Sequence, residues 1–476
     1  MQESLTFQIR FLSISSWAPI QNSDEPINVD RSKKIGALKL SLKEQLNYVR
    51  HIIKKLCYSE KLLSGKSYPP GPLMKLQSRV LYCFFVAIPS LAMIDRLLEV
   101  VFNHYVMHTP PTTIVILVQG CYLIVLYFGA IRCFHSICAL RPGWANSLFF
   151  LLLLILFMAF LIVYPLVDSG QLGFSSDRDE AIDIAVKQIL SGNYPYTCKE
   201  ISGLHDGCST AGNLITPLPG ALLFASPFVV LGGSALQNFG WLIVFYFALR
   251  WYVDNSRFPA IYLTTLLFLS PVIAAEIFTG GDLLANSLAV TTAIVLALRA
   301  ASIKMWVVFG AILGIALSWR AHFLLIIVPL VVYYQKRHEL KKLLATGFAT
   351  FVSFAAVTLP LWIANPDGFS PIHVQQRYND FLPLLPHADI VMIAVPVIIG
   401  IVLGLRAGNH SDLLIACGAT VIAPILLAVI LNSINKGMLS FSYYGWYALS
   451  GTFLGTLGCF QSRQLVCPKI QSLMDD

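Results

Sequence analysis

Charged side chains are scarce in this chain of 476 residues, because Asp, Glu, Lys and Arg together make up only 12% of it. Soluble globular domains carry about 25%. Apolar residues instead reach 56%, and the mean hydropathy is +0.70. Runs of about 20 apolar residues, the length that a helix needs to cross a bilayer, recur along the chain. The composition therefore excludes an ordinary soluble domain and predicts a membrane protein.

Other features are missing as well. Segment 147–167 is continuously apolar and lacks the alternating polarity of an outer-membrane β-barrel, so helices are the expected spanning element. The chain has no Gly-rich nucleotide-binding motif, no metal-finger spacing of cysteines and no Ser-His-Asp order. These absences argue against ATP-driven transport, and no nucleic acid partner is expected. The fold class that we predict is all-α, a polytopic integral membrane protein.

The first 79 residues lack the apolar core of a secretory signal and are rich in Lys and Arg, which predicts a cytoplasmic N-terminus. Within 40–63 the apolar residues fall on one helical face, and basic residues surround that face. Two interpretations stay open: a basic amphipathic helix on the anionic inner leaflet, or a solvated helix packed on cytoplasmic loops.

The apolar runs predict a bundle of about 12 transmembrane helices. Segment 214–232 is apolar enough to cross, but its three prolines favour a membrane-edge helix, because lipid cannot replace the backbone donors that proline removes. Asp95, Arg96 and Glu99 crowd one end of the first span, which predicts that this span is tilted, shortened or bound at the surface. The predicted spans are 80–104, 112–131, 147–168, 234–250, 258–277, 283–299, 304–319, 322–335, 343–364, 389–405, 411–431 and 441–460.

Basic residues after residue 232 fall in alternate gaps between the predicted spans. The positive-inside rule assigns those gaps to the cytoplasm. Loop 169–213 then lies on the extracytoplasmic side, and both termini lie in the cytoplasm of a multi-pass protein of the plasma (inner) membrane. Cys198 and Cys208 both belong to this loop, where an oxidising compartment would allow a disulfide between them.

Loop 169–213 is the long polar interruption of the chain, and it carries the signals of a helix start. Ser176 is positioned to cap a helix whose third residue is Asp179, Gly192 to end it and Pro195 to prevent its resumption. The pattern predicts an amphipathic helix over 177–191. We expect this helix to lie flat on the membrane surface, with its N-terminal carboxylates near the end of the third span.

The order of motifs around this loop resembles the first external loop of the GT-C superfamily of membrane glycosyltransferases. The turn 280–282, and the Gly-x-x-x-Gly run 310–314 followed by Arg320, are similar to the middle spans of that family. The resemblance covers 147–365, although the acidic loop follows the third span here and usually follows the first span in the family. The residues that carry it in this loop are Asp177, Arg178, Asp179 and Glu180, then Gly192, Asn193, Tyr194, Pro195 and Tyr196, then Pro217, Leu218, Pro219 and Gly220.

The resemblance divides the chain into four regions. Residues 1–79 form a cytoplasmic basic amphipathic region, and 80–146 form two extra N-terminal spans. Residues 147–365 form a GT-C-like core with the external catalytic loop 169–213, and 366–476 hold the C-terminal spans and a short cytoplasmic tail. The family implies transfer of a sugar from a polyprenyl-phosphate donor to a lipid, glycan or protein acceptor at the extracytoplasmic face, as in mannosyltransferases of the cell envelope.

The catalytic candidates are Asp177, Asp179 and Glu180, because a carboxylate within reach of the acceptor hydroxyl takes its proton. Acidic residues in a first helical turn are also expected simply to complement the helix dipole, and the choice between Asp177 and Asp179 stays open. The leaving lipid phosphate needs cations or a divalent metal ion nearby. The candidates for binding substrate or lipid phosphate are Arg178, Tyr196, Asp282, Arg320, His322 and Arg377.

Structural alternatives exist for several of these residues. Asp282 is equally well positioned as a helix cap, and Arg320 and His322 as side chains that reach the membrane interface. Trp446 and Tyr447, at the outer end of the last span, are better explained as an aromatic belt than as sugar-stacking residues. The rival function classes are a transporter or flippase of lipid-linked sugars and a lipid-linked glycan polymerase or ligase.

Overall fold

The part of the protein that the structure describes is almost entirely α-helical. The predicted amphipathic segment 40–63 lies outside the described residues, as do Cys198, Cys208 and Arg377. A computed structural model describes residues 72–103, 112–139, 142–169, 176–196, 199–201, 204–206, 213–253, 255, 257–372, 381–441 and 444–461.

The helices follow one another with short connections. Two strands, β1 (Lys199–Ile201) and β2 (Leu204–Asp206), pair as a small antiparallel hairpin inside loop 169–213, which the all-α prediction did not include. Short 3₁₀ segments cover Ser234–Leu236, Ala321–Ile326 and Gly445–Ala448. The α-helices are α1 (Pro72–Val101), α2 (Thr112–Ala139), α3 (Pro142–Asp168), α4 (Arg178–Leu190), α5 (Pro219–Val230), α6 (Gln237–Val253), α7 (Phe258–Leu269), α8 (Pro271–Phe278), α9 (Leu283–Arg299), α10 (Ile303–Leu317), α11 (Ile327–Lys336), α12 (Leu340–Ala364), α13 (Ala388–Arg406), α14 (His410–Lys436) and α15 (Leu449–Gln461).

Six of the described helices are long and apolar enough to cross a membrane, and the number rises to eight if each of two bent pairs is one span. The six are α1, α2, α3, α12, α13 and α14. Helices α5 and α6 meet at a bend of 102°, and α7 and α8 meet at a bend of 85°. Helices α9 and α10 and the segment Ala321–Lys336 are apolar but shorter. The fold therefore agrees with the predicted all-α, multi-span class, whereas the predicted count of about twelve spans exceeds the six to eight that length and composition support.

Helix α9 forms the centre of the described bundle. Buried residues occupy its whole circumference, so it has no face left for lipid or solvent. Helices α6, α10 and α15 pack around it, and α14 packs against α15. The N-cap of this central helix is Asp282, which is fully buried. A charged side chain is thus held at the end of the most enclosed helix.

Small residues permit a close contact between α10 and α12. A Cβ at Gly310 or Gly314 would collide with the backbone oxygens of Thr346 and Thr350. The Thr350 hydroxyl donates a hydrogen bond to the carbonyl of Gly310 at 2.9 Å. Helices in lipid associate through such close backbone approach, because lipid removes the hydrophobic drive. The Gly-x-x-x-Gly run noted in the sequence is therefore a packing element.

Basic residues join several of the connections between helices. Lys336 donates to the carbonyl of Leu405 at 2.7 Å, and Lys342 donates to the carbonyl of Leu298 at 3.3 Å. The connections that meet in this way are among those that the charge pattern assigned to one side. Other connections carry the charged cluster described next.

Candidate active site

Helix α4 begins one residue after the predicted start at 177, with Asp177 as its N-cap residue. Its first turn contains two carboxylates, Asp179 and Glu180, whose charge complements the helix dipole. Ser176, the predicted cap, accepts hydrogen bonds from the backbone N–H of Arg178 at 3.4 Å and from its Nε–H at 3.2 Å. The buried face of α4 packs on α5. The predicted amphipathic helix is therefore present and its acidic end is anchored.

Asp179 is the buried carboxylate of this cluster, with 2% of its surface exposed. Its Oδ2 accepts a hydrogen bond from the Tyr164 hydroxyl of α3 at 2.7 Å, whereas its Oδ1 has no hydrogen-bond partner. Burial raises the pKa of the carboxyl to about 7, and the hydrogen bond from Tyr164 lowers it by less. Gly280, at φ +68°, allows this approach, because a Cβ there would collide with the carboxylate. Asp179 is therefore partly protonated near neutral pH.

Asp177 is the more accessible aspartate, because its side chain is only half-buried. The side-chain amide of Asn213 donates to its Oδ2 at 2.7 Å, which ties the start of α4 to the segment that leads into α5. Glu180 is also half-buried and interacts electrostatically with Asp168 at the end of α3. A substrate hydroxyl can thus reach Asp177 from solution, whereas protein encloses Asp179.

Arg178 forms the first of two ion pairs at this end of the bundle. Its guanidinium lies 2.5 Å from Oε1 of Glu276, at the end of α8, and 20% of the arginine side chain is exposed. Glu276 is fully buried, and its Oε2 accepts the backbone N–H of Leu283 at 2.9 Å. Sequence reasoning missed Glu276, although an acidic residue inside an apolar helix is a signal of a functional position.

Arg320 and Asp282 form the second ion pair. One guanidinium nitrogen lies 2.8 and 2.6 Å from the two carboxylate oxygens of Asp282. Arg320 is 7% exposed and Asp282 is fully buried. Asp282 occupies the N-cap position of α9, as the helix-cap interpretation predicted, but its side chain caps no backbone N–H and binds Arg320. Arg320 is buried in this ion pair and does not extend to the surface, although its Nε is left without a partner.

Two aromatic rings from the segment before α15 cover the arginines. The Trp446 ring lies 5.8 Å from the guanidinium carbon of Arg178, and its Nε1–H donates to Glu276. The Tyr447 ring lies 5.7 Å from the guanidinium carbon of Arg320. These two residues therefore contact the charged cluster, which the aromatic-belt interpretation did not include. Both rings stabilise the cations by facing them.

The two remaining described candidates have different surroundings. The Tyr196 hydroxyl donates to the carbonyl of Pro217 at 3.0 Å, and its ring packs against Phe369 with 5.1 Å between ring centroids. Burial raises the pKa of Tyr196 well above its usual value. This residue supports the α4–α5 contact and touches no charged member of the cluster. His322 follows Arg320 closely in the chain, and its Nε2 has no hydrogen-bond partner.

The two ion pairs form one electrostatic network. Arg178 and Arg320 are close enough to repel each other, and both are attracted to Asp282. Two cations beside two buried anions leave the network without net charge, and Asp177 and Asp179 border it. This arrangement combines guanidinium groups, which suit phosphate, with a reachable carboxylate, which suits proton abstraction.

Among the described residues, no group of three or more His, Cys, Asp or Glu side chains is arranged to hold a metal ion. The divalent cation considered from the sequence has no such site in this part of the chain. Comparison of the chain with protein-family models, with curated proteins and with solved structures finds no match.

Proposed function

We propose that this protein is a membrane glycosyltransferase of the GT-C type. It moves a sugar from a polyprenyl-phosphate donor to a lipid, glycan or protein acceptor at the extracytoplasmic face. One observation carries the proposal: four segments that the sequence motifs singled out, far apart in the chain, meet at the charged cluster. They are 177–180, 217–220, 280–282 and 310–320. Hydrogen bonds join 177–180 to 213, 220 to 318 and 282 to 320, and a Cβ at Gly281 would touch both Arg178 and Glu276.

In the proposed reaction Asp177 is the general base. The acceptor hydroxyl gives its proton to Asp177, and the hydroxyl oxygen forms a bond to the anomeric carbon. The bond from that carbon to the phosphate oxygen breaks, and its electron pair leaves with the polyprenyl phosphate. Such a single displacement inverts the anomeric configuration. Asp177 is preferred to Asp179 because a base must first reach the proton that it removes, and Asp179 is enclosed.

The proposed site for the donor phosphate is the guanidinium pair. Arg178 retains an exposed fraction of 20% after its pairing with Glu276. Arg320 retains an unpartnered Nε–H although it is almost fully buried. A buried donor without a partner costs roughly 1–3 kcal/mol, and a phosphate oxygen would remove that cost. Preformed charges of this kind stabilise the leaving group without reorganisation.

The proposed architecture is a bundle of about twelve spans with both termini in the cytoplasm, and a cap made of α4 and α5. Helices α9 and α10 have 17 and 15 residues. At 1.5 Å per residue each is about 23–26 Å long, shorter than the roughly 30 Å hydrocarbon core. Local thinning of the bilayer around the site would accommodate them and would bring lipid headgroups closer to the cluster.

A transporter of lipid-linked sugars is the second candidate, because two observations favour it. The described helices include two bent pairs, with bends of 102° and 85°. It also buries charged side chains at helix ends, as at Glu276 and Asp282. Broken helices and intramembrane charges are typical of secondary transporters. A transporter would move the donor across the membrane and leave its sugar–phosphate bond intact.

The test is turnover of a radiolabelled polyprenyl-phosphate mannose, with the glucose analogue in parallel, by purified protein in vesicles that contain acceptor lipids. We expect wild-type protein to release polyprenyl phosphate and Asp177→Asn to lower the rate about 10²–10⁴-fold, the usual worth of a general base. The control is Asp367→Asn, an exposed carboxylate outside the cluster. Unchanged turnover in Asp177→Asn contradicts the assigned base, and intact donor that only changes leaflet favours the transporter.

A further inference from the structure

Asp95 is an acidic residue inside the apolar helix α1, and it is 5% exposed. A charged side chain inside a transmembrane helix is costly. The neighbouring charges Arg96 and Glu99 pair with each other at 3.5 Å and are more than a third exposed. Asp95 alone of these three is directed into the protein, and its cost is offset by the contacts that it makes there.

The carboxylate of Asp95 joins three elements. Its Oδ1 accepts a hydrogen bond from the side-chain amide of Gln119 on α2, which is also 5% exposed. Its Oδ2 accepts the backbone N–H of Phe441 at 2.7 Å. Phe441 follows α14 and lies near the segment that leads to α15. A hydrogen bond to a charged acceptor is about twice as strong as one between neutral groups.

Further contacts hold the segment between α14 and α15, which carries Phe441 and Gly445, in place against α1. The backbone N–H of Gly445 donates to the carbonyl of Phe441 at 2.9 Å. A Cβ at Gly445 would lie 2.9 Å from the Cβ of Ala92, three residues before Asp95. Only glycine lets the segment approach the helix this closely. On its other side, the Ser433 hydroxyl of α14 binds the backbone of Ser440.

The segment held in this way carries the two rings that cover the arginines. Trp446 donates to Glu276 and faces Arg178, and Tyr447 faces Arg320. We infer that Asp95 is a positioning residue: through the N–H of Phe441 it holds Trp446 and Tyr447 against the two ion pairs. Helices α1 and α2, which precede the region that resembles a known family, are then structural parts of the site. The inference does not depend on which reaction the site performs.

The test reads the surroundings of Trp446 directly. The chain has eight tryptophans, so protein labelled with 5-fluorotryptophan and purified in detergent gives resolvable fluorine resonances, and Trp446→Phe identifies the one of interest. We expect Asp95→Val, which removes the acceptor, to shift that resonance. Asp95→Asn, which keeps an acceptor for Phe441, should leave it in place. The resonance of Trp144, 69% exposed on α3, is the internal standard.

Glu99→Ala is the matched control, because it removes a carboxylate of the same helix that is about a third exposed and pairs with Arg96. It should leave the Trp446 resonance unchanged. If Asp95→Val does not fold, all eight resonances collapse together. Asp95→Ser then provides the test: its side chain is too short to reach Phe441, so the Trp446 resonance should shift. A Trp446 resonance that coincides with wild type in folded Asp95→Val or Asp95→Ser protein overturns the inference.

Discussion

The protonation of Asp179 couples the charged cluster to pH. Burial raises the pKa of this carboxyl to about 7 in the folded protein, whereas an aspartate in an unfolded chain has a pKa near 3.9. Between these two values the folded state holds a proton that the unfolded state has released. The stabilisation from this proton is complete below the unfolded pKa and is lost as pH rises through about 7.

We therefore expect the melting temperature of the detergent-purified protein to fall as the pH rises from about 5 to about 8. Asp179→Asn should remove the part of this pH dependence that comes from Asp179, because the amide is uncharged at every pH and still accepts the Tyr164 hydrogen bond. At one titrating site the free energy of unfolding changes with a slope of up to about 1.4 kcal/mol per pH unit. Thermal unfolding curves at several pH values measure it.

The control for this measurement is Asp367→Asn, which changes an exposed carboxylate at another connection. Its slope should equal that of the wild type. Equal slopes in wild type and Asp179→Asn would show that Asp179 does not titrate in this range, and its burial would then be offset in another way.

Single residues of the cluster were predictable from the sequence where they stand in polar gaps. Asp177, Asp179, Asp282 and Arg320 interrupt apolar runs and are conspicuous for that reason. Their pairing was not predictable, because Arg320 binds a residue 38 positions earlier in the chain. The part of Tyr164, Glu276 and Trp446 in the cluster was missed, since each lies within or beside an apolar run where sequence periodicity indicates only a span.

Among the elements, the bent pair α7 and α8 differs from the sequence prediction of a straight span over 258–277. The helix stops at Ser270, whose backbone is extended at φ −115° and ψ 92°. Proline at 271 disfavours helical geometry in the residue before it, so the break is a local effect that the sequence contained. The 85° bend itself is not local, because packing against α1 and α3 sets the direction of α8.

The contact between α10 and α12 permits a test at the scale of elements. Gly314→Ala would force a methyl group against the backbone oxygen of Thr350 and should destabilise the protein by about 1–3 kcal/mol, the usual cost of overpacking. The matched control is Gly347→Ala on α12, where a Cβ meets no atom within 4 Å. That change should be neutral or stabilising by up to about 1 kcal/mol, because alanine favours helix.

Melting temperatures of the two variants in the same detergent give the comparison. A lower value for Gly314→Ala together with an unchanged or higher value for Gly347→Ala supports the packing role of the Gly-x-x-x-Gly run. Equal shifts in both variants would mean that the two helices adjust to the added methyl, and that the run is not a close-packing element.

For the whole molecule, the helical multi-span class and the meeting of several basic connections were predictable from the sequence. Basic residues marked one set of gaps, and Lys336, Arg337 and Lys342 of that set donate to carbonyls at the ends of neighbouring helices. Helix ends carry free carbonyls and partial negative charge, which explains this use of the cations. Length and composition alone support six to eight of the predicted spans, because a run of apolar residues has the same pattern whether its helix is straight, bent or short.

The compartment that receives helix α4 decides whether the proposed reaction is possible. Polyprenyl-phosphate sugars of the proposed class act at the extracytoplasmic face, so Asn193, exposed in the turn after α4, should be on that side. Lys341, exposed near the basic end, should be on the other. A cysteine at each position in turn, in protein whose Cys198 and Cys208 are replaced by serine, reports both ends of the bundle. We expect a membrane-impermeant maleimide to label Asn193→Cys in intact cells and Lys341→Cys only after permeabilisation. The reverse pattern would direct the carboxylates to the cytoplasm and refute the extracytoplasmic reaction, while the geometry of the ion pairs would stand unchanged.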